Sequence, residues 1–377
     1  MSLPLRCALR SSPTVAHIWH KTVLSVSGSH ASQFLNGLLS TSVHDPPRGP
    51  FFSAFLHPQG RVIHDIFVYT SVDAAGRPGY LIEYDASAGT PDSDSLLAML
   101  KRHVLRSKVK LRDVTSEYDV WAVYGSENES AWEQPRRWKW AASHVVEPEW
   151  SEEEWPWGTE HGVIRDRRAP GMGKRVLVRK GDKRMHIPTM LFEVQWLSEV
   201  YIAQEASTYD LGSSLSYLLH RLQHGVPEGS NDIPPQQAFP MDSNLDIMGG
   251  LDFRKGCYVG QELTVRTYHT GVVRKRILPV VVPSEVNLSR YAPTLPHSLD
   301  IHARVLRELG DDRPIPRPRG TGKLLSNVQG MGLALLRTEH VAAVENGTAQ
   351  LEVSDPKTGD VFQIEHWWPD WWPKQQK

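Results

Sequence analysis

Cysteine is scarce in this chain: 377 residues hold only Cys7 and Cys257. That excludes a disulfide framework and an all-cysteine structural zinc site. A four-iron cluster takes four thiolates as a rule, so the chain cannot hold one unaided. Any cluster contact has to be shared with a partner or a second copy. An excess of one charge sign is also missing, since the formal net charge is −1. No overall field points to nucleic acid or membrane, although a local basic patch stays compatible with that balance. No apolar run approaches the ~20 residues of a membrane-spanning helix. His17, His20, His30 and His44 lack H-E-x-x-H spacing and read as surface or satisfied residues. No repeat of ~20–50 residues occurs. The one echo is in the tail, Trp367-Trp368-Pro369 and Trp371-Trp372-Pro373.

What is present describes an ordinary globular protein, 40% hydrophobic and 23% charged. Its length calls for two or three domains. The first acidic residue is Asp45, preceded by Arg6, Arg10 and Lys21 among serines and threonines. This pattern suits a mitochondrial presequence remnant over residues 1–20, and equally an N-terminal strand behind a tail. In the first case Cys7 is lost and Cys257 is the single remaining thiol.

Phe34, Leu35, Leu38 and Leu39 predict a helix over 30–40, broken by Pro46, Pro47, Gly49 and Pro50. Residues 51–70 read as two strands around a His57-Pro58-Gln59-Gly60 turn. A helix is predicted over 94–107, capped by Asp94. A new unit begins near 115 with a strand at 120–124. Residues 126–160, rich in Glu and Trp and without a clean period, read as an insertion, and 175–179 as a strand. The stripe Leu211, Leu215, Leu218, Leu219 and Leu222 predicts a helix over 209–224, capped by Asp210 and stopped by Gly225 and Pro227. Residues 227–275 read as a long functional loop. Strands at 277–282, 300–306, 331–337, 348–353 and 361–366 suggest a small antiparallel barrel. The expected domains are therefore 21–114 with 206–275, then 115–205, then 276–377. Proline spacing in the tail suits a strap in which Trp367, Trp368, Trp371 and Trp372 fold back onto the barrel, the alternative being an exposed interface. Trp132, Trp138, Trp140, Trp150, Trp155 and Trp157 carry the same two readings.

The focal segment is Lys255-Gly256-Cys257-Tyr258-Val259-Gly260-Gln261-Glu262. Gly256 and Gly260 predict a tight turn presenting the thiol. Arg254 and Lys255 are placed to favour thiolate, the form that attacks or binds metal. Tyr258, Gln261 and Glu262 are expected to position the loop or cap a following element. The alternative for Cys257 is a buried, inert thiol.

This segment resembles the K-G-C-Y-x-G-Q-E signature of the YgfZ-like family, within the wider group that shares the fold of the glycine-cleavage T-protein, a tetrahydrofolate-dependent aminomethyltransferase. Pro240, Asn244, Leu245, Asp246, Gly250 and Phe253 fit the same pattern. So do Arg221-x-x-x-Gly225-Val226-Pro227-Glu228-Gly229, Gly271-x-x-Arg274-Lys275-Arg276, Phe34-Leu35-Asn36-Gly37, Thr41, Gln59-Gly60-Arg61-Val62, Asp65 and the run 332–337. Residues 126–186 and the tail stand outside the likeness.

The resemblance implies an α+β fold of three domains: two mixed α/β domains around a central cavity able to hold folate, and a C-terminal antiparallel barrel. With the basic leader, the branch resembled is the CAF-type mitochondrial iron–sulfur assembly factor of the matrix, more an assembly factor than a conventional enzyme. That branch works with A-type scaffold proteins, a ferredoxin being a further candidate partner, to mature four-iron proteins such as aconitase and lipoate and biotin synthases. No nucleic-acid partner and no membrane insertion are expected. Cys257 is then the functional thiol and a cluster ligand shared with the partner, assisted by Lys255 and Arg254. No tightly bound cofactor is implied; tetrahydrofolate, met by Asp65 and Arg61, and a transient shared cluster are the candidates. Where the aminomethyltransferases carry an Asp-Asp pair, this chain has His64-Asp65, which puts one-carbon transfer in doubt. The alternatives are a folate-dependent transferase and a non-catalytic interaction scaffold.

Overall fold

The computed structural model describes residues 14–72, 76–87, 95–125, 137–150, 155–181, 210–283, 294–306 and 320–374. Sequence position 132 and the expected cap Asp94 lie outside them.

The His57–Gly60 turn forms as the sequence predicts. Gly60 sits at φ +81° and donates its N–H to the His57 carbonyl at 2.7 Å. It joins β3 (Phe51–Leu56) to β4 (Val62–Val72). With β2 (Lys21–Ser27), β5 (Pro78–Asp85) and β6 (Lys110–Asp113) these make an antiparallel sheet in the order β3-β4-β5-β2-β6. Every residue of β3 is buried, as expected of a strand covered on both faces. Helix α1 (Ala31–Asn36) and helix α2 (Leu96–Val104) belong to the same unit. The cap of α2 is the Ser95 hydroxyl, which accepts the Ala98 N–H at 3.2 Å.

The second sheet runs β10-β11-β7-β1-β12, built from β1 (Thr14–His17), β7 (Tyr118–Tyr124), β10 (Val163–Arg165), β11 (Lys174–Arg179) and β12 (Asp210–Gly212). Thr14–His17 is thus a strand inside the fold, antiparallel to β7 and parallel to β12; residues 1–13 lie outside the described residues. Alternation sorts the side chains: Ala16, Val120 and Ala122 join the large core shared with the first sheet, while Val15, Trp121 and Val123 form a separate cluster.

Within the stretch read as a periodless insertion, β8 (Arg137–Trp140) and β9 (Val146–Glu149) pair as a hairpin. Helix α3 is Ser214–Gln223, shorter than the leucine stripe implied. Asp210 belongs to β12, and Ser213 forms the capping box with Ser216. Leu211 and Leu215 face solvent, and α3 buries Tyr217, His220, Arg221 and Leu222 instead. The reason is an ionic cluster beneath the helix, which takes polar side chains. Helix α4 (Gln261–Thr270) occupies part of the expected loop.

The C-terminal unit is a closed antiparallel barrel, β13-β16-β15-β14-β17-β18: β13 (Lys275–Val281), β14 (Asp300–Val305), β15 (Gly322–Val328), β16 (Met331–Arg337), β17 (Ala349–Ser354) and β18 (Val361–His366). Strand β15, absent from the sequence reading, carries a register shift between Leu324 and Asn327 that spoils its alternation. Helix α5 (Thr338–Glu345) follows β16. The tail folds back: Trp368 and Trp372 pack on the barrel core, and the Trp371 indole N–H donates to the His224 carbonyl at 3.1 Å.

Candidate functional site

The signature residues lie between β3–β4, α1 and α4. Gly260 adopts φ +82° and caps α4. A Cβ there would overlap the His57 carbonyl oxygen and stand 2.8 Å from Leu56 Cβ, so this backbone can touch the β3–β4 turn only as glycine. Tyr258 is buried; its N–H donates to Gln261 Oε1 at 3.1 Å, and its hydroxyl meets Thr264 Oγ1 at 3.0 Å. The Val259 N–H donates to the Gly37 carbonyl at 3.1 Å. These bonds hold the segment on both sides of Cys257, whose thiol is free and exposed. The structure therefore removes the buried-thiol alternative.

The neighbours of the thiol have structural roles of their own. Lys255 Nζ donates to the carbonyls of Asn36 and Leu39 at 2.7 Å and of Thr41 at 3.1 Å. An ammonium has three donors, and all three are occupied. Burial pushes Lys255 down to about 8, with Asp252 opposing. It ties the loop to the end of α1. Arg254 is exposed, with its Nε 3.6 Å from Glu147 Oε2. Gly256 has no positive φ, and nothing lies within 4 Å of a Cβ built on it, so the turn does not require glycine there. Glu262 is exposed in the first turn of α4.

Arg254 and Asp252 also border a cavity of roughly 770 Å³ between the first two units. Trp150, Trp155, Trp157, Phe51 and Phe52 line it, together with Arg48 and Glu147. The Trp155 indole donates to the Pro50 carbonyl at 2.5 Å, and the Arg48 guanidinium lies 5.1 Å from its ring. Glu147 accepts the Tyr268 hydroxyl at 2.5 Å, and Tyr268 stacks on Phe253 at 4.5 Å. Sequence reasoning missed Glu147 and the role of the tryptophan wall; density of Trp in 132–157 was the only available signal. The size suits a drug-sized organic ligand, and the aromatic lining suits a planar ring.

Asp65 and Arg61 do not line that cavity. Arg61 donates to the Gln237 carbonyl and stacks 3.6 Å from the Phe239 ring. Asp65 is buried and accepts the Gly229 N–H at 3.0 and 3.2 Å. Burial pushes its carboxyl up to about 6, with Lys21 opposing. Burial likewise pushes its neighbour His64 down to about 4. Beside Asp65 is the ionic cluster under α3. Glu228 binds Lys21 Nζ, Arg168 NH2 and Arg175 NH2, each at 2.7 Å, and accepts the Tyr217 hydroxyl at 2.6 Å. Burial alone would raise Glu228, but Arg175, Lys21 and Arg168 outweigh it and hold the carboxyl well below the usual range. Lys21 comes from the first sheet and Arg175 from the second, so Glu228 joins the two. In the same way Asp246 pairs bidentately with Arg276 at 2.6 and 2.9 Å, and Asn244 bonds both backbone groups of Ile277, fixing the barrel to the body. Much of the extended signature is thus domain joinery.

Comparison with known proteins agrees with this geometry. The family model described as CAF17, C-terminal beta-barrel domain, matches residues 274–374. A mitochondrial iron–sulfur cluster assembly factor IBA57 homolog of Cryptococcus neoformans is 37% identical over 347 residues, covering 87% of this chain and 84% of that protein. Its counterpart in Aspergillus fumigatus is 37% identical over 360 residues, covering 89% and 73%. That of Mycosarcoma maydis is 31% identical over 397 residues, covering 96% and 85%. The crystal structure of the glycine cleavage system aminomethyltransferase T from Bartonella henselae matches 98% of this chain and 89% of its own with a TM-score of 0.60, at 13% identity. That last likeness is one of fold.

Proposed function

Because this chain belongs to the IBA57-type family of mitochondrial iron–sulfur cluster assembly factors, we propose that it works in the mitochondrial matrix with an A-type scaffold protein to build four-iron clusters for aconitase and the lipoate and biotin synthases. The observation that carries this reading is the exposed Cys257 thiol on a loop fastened through Lys255, Tyr258 and Gly260. A rigid loop presents a thiolate at a set position, which lowers the ordering cost of a shared coordination site. The cluster is cargo: Cys257 supplies one thiolate while the partner supplies the others, because one chain holds too few. Open space around Gly256 leaves room for the partner's backbone to come close.

The test is anaerobic. Native protein and Cys257→Ala are each mixed with an A-type protein carrying two-iron clusters and a ferredoxin-class reductant, and products are followed by Mössbauer and visible absorption. Four-iron cluster with the native protein alone is expected. Equal yield with Cys257→Ala would remove the thiol from the mechanism.

A second reading rests on the tryptophan-walled cavity, which would take tetrahydrofolate with its ring beside Trp155 and its carboxylates near Arg48 or Arg254. Saturating tetrahydrofolate should then raise the melting temperature by mass action. Absence of a shift would eliminate it.

A further inference from the structure

We propose that residues 101–112 form a peripheral docking surface for an anionic lipid membrane, a role beyond cluster assembly. The segment reads K-R-H-V-L-R-S-K-V-K-L-R. Six lysines and arginines fall in these twelve residues, in a chain of net charge −1, and no acid interrupts them. They span the last turn of α2, a connecting turn and the edge strand β6, and all six are exposed. No acidic side chain among the described residues pairs with Lys101, Arg106, Lys108 or Lys110; Arg112 lies 3.8 Å from Glu117. Part of this has a structural reason, since cations suit a helix C-terminus and lysines guard a sheet edge.

Leu105 does not share that reason. It is 89% exposed and sits at φ +43°, ψ −107°. A bulky residue in that conformation is strained, and Gly would relieve it. Its neighbours Val104, Val109 and Leu111 pack against the core, so the apolar demand of the segment is met without it. Leucine is therefore held outward, against both backbone preference and hydration, within a run of exposed cations. An anionic bilayer satisfies both features: leucine enters the acyl boundary while lysine and arginine stems reach the headgroups. Nucleic acid fits less well, because residues 101–112 contain no Phe, Tyr or Trp on which bases could stack. Among the described residues no helix is long and apolar enough to span a membrane.

Strand β6 is the edge of its sheet opposite β3, and the Cys257 loop packs against the β3–β4 turn. Four strand spacings, about 19 Å, separate the two edges. Docking through the tip would leave the thiol accessible.

The full chain is incubated with vesicles of phosphatidylcholine alone, or of phosphatidylcholine mixed with phosphatidylglycerol, and bound protein is measured by flotation. Binding to the mixed vesicles only, weakening with added salt, is expected. The Arg106→Glu/Lys108→Glu variant should bind at least about tenfold more weakly. Leu105→Gly, which suits the local backbone, should also lose about tenfold while keeping or raising the melting temperature. Failure to bind mixed vesicles overturns the proposal, as does equal binding by Leu105→Gly. Heparin or RNA binding that ignores Leu105, without vesicle binding, would assign the patch to a soluble polyanion and likewise overturn it.

Discussion

Gly260 and Gly60 face one another: a Cβ on Gly260 would lie 3.4 Å from the Gly60 Cα, and one on Gly60 would stand 3.1 Å from the Gly260 carbonyl oxygen. Both have positive φ. The β3–β4 turn and the start of α4 therefore meet backbone to backbone, three residues beyond the exposed thiol. Gly260→Ala should destabilise the protein by about 2 kcal/mol or more, from backbone strain and the overlap with His57 together. Gly256→Ala should stay within about 0.5 kcal/mol of native, since its surroundings are open. Chemical denaturation of both variants checks the contrast, and equal losses would contradict the geometry.

Lys255 gives the second expectation. Replacing it with Met leaves three carbonyls near the end of α1 without their donor, at a cost of about 1–3 kcal/mol. Amide exchange should rise in residues 254–260 and 36–41 together, because the ammonium bridges them. Exchange that rises in the signature loop alone would mean that the bridge does not hold α1.

The contrast between Lys255 and Gly260 bears on what a sequence can reveal. The signature, the β3–β4 turn and most barrel strands were legible because short-range pattern encodes them: alternation, turn residues, a run of specific residues. The partners of Lys255 were not, because they are backbone carbonyls more than 210 positions away and carry no side-chain signal. The α3 prediction failed for a related reason. Its leucines mark a helix, yet the buried face is chosen by Arg168, Arg175 and Glu228, which lie on other elements. Asp65 and Arg61 were expected to meet folate on resemblance; neither lines the tryptophan-walled cavity, and Asp65 binds the Gly229 backbone.

Asp65 makes stability depend on pH. Its carboxyl is raised from 3.8 to about 6 by burial, so the folded state binds an extra proton between those values. Its contribution is fully present below about pH 3.8 and is lost as pH rises through about 6. Near pH 7 the buried carboxylate costs at most about 3 kcal/mol, at 1.36 kcal/mol per pH unit. Asp65→Asn keeps an acceptor for the Gly229 N–H without the charge. It should therefore gain on the native protein as pH rises from 4 to 7, in urea titrations at each pH. A difference that does not change with pH would show that Asp65 is not the titrating group.

Glu228 carries the opposite sign. Three cations hold its carboxyl well below its ordinary value of 4.5. Its contribution is present above about pH 4.5 and is lost as pH falls through the lower folded value. Glu228→Gln should cost about 3–5 kcal/mol at pH 7, because Lys21, Arg168 and Arg175 would stay buried with their shared countercharge removed. The loss should come with weaker docking of the first two units, read as faster exchange in β1 and β11 and in Phe67, whose ring lies 4.7 Å from the Arg168 guanidinium and 4.9 Å from that of Arg175. Glu228→Gln should also shrink the acid-induced fall in stability seen in the native protein. If the variant and the native protein lose stability in parallel on acidification, the acid sensitivity belongs to other carboxylates, and the three cations are neutralised elsewhere in the cluster.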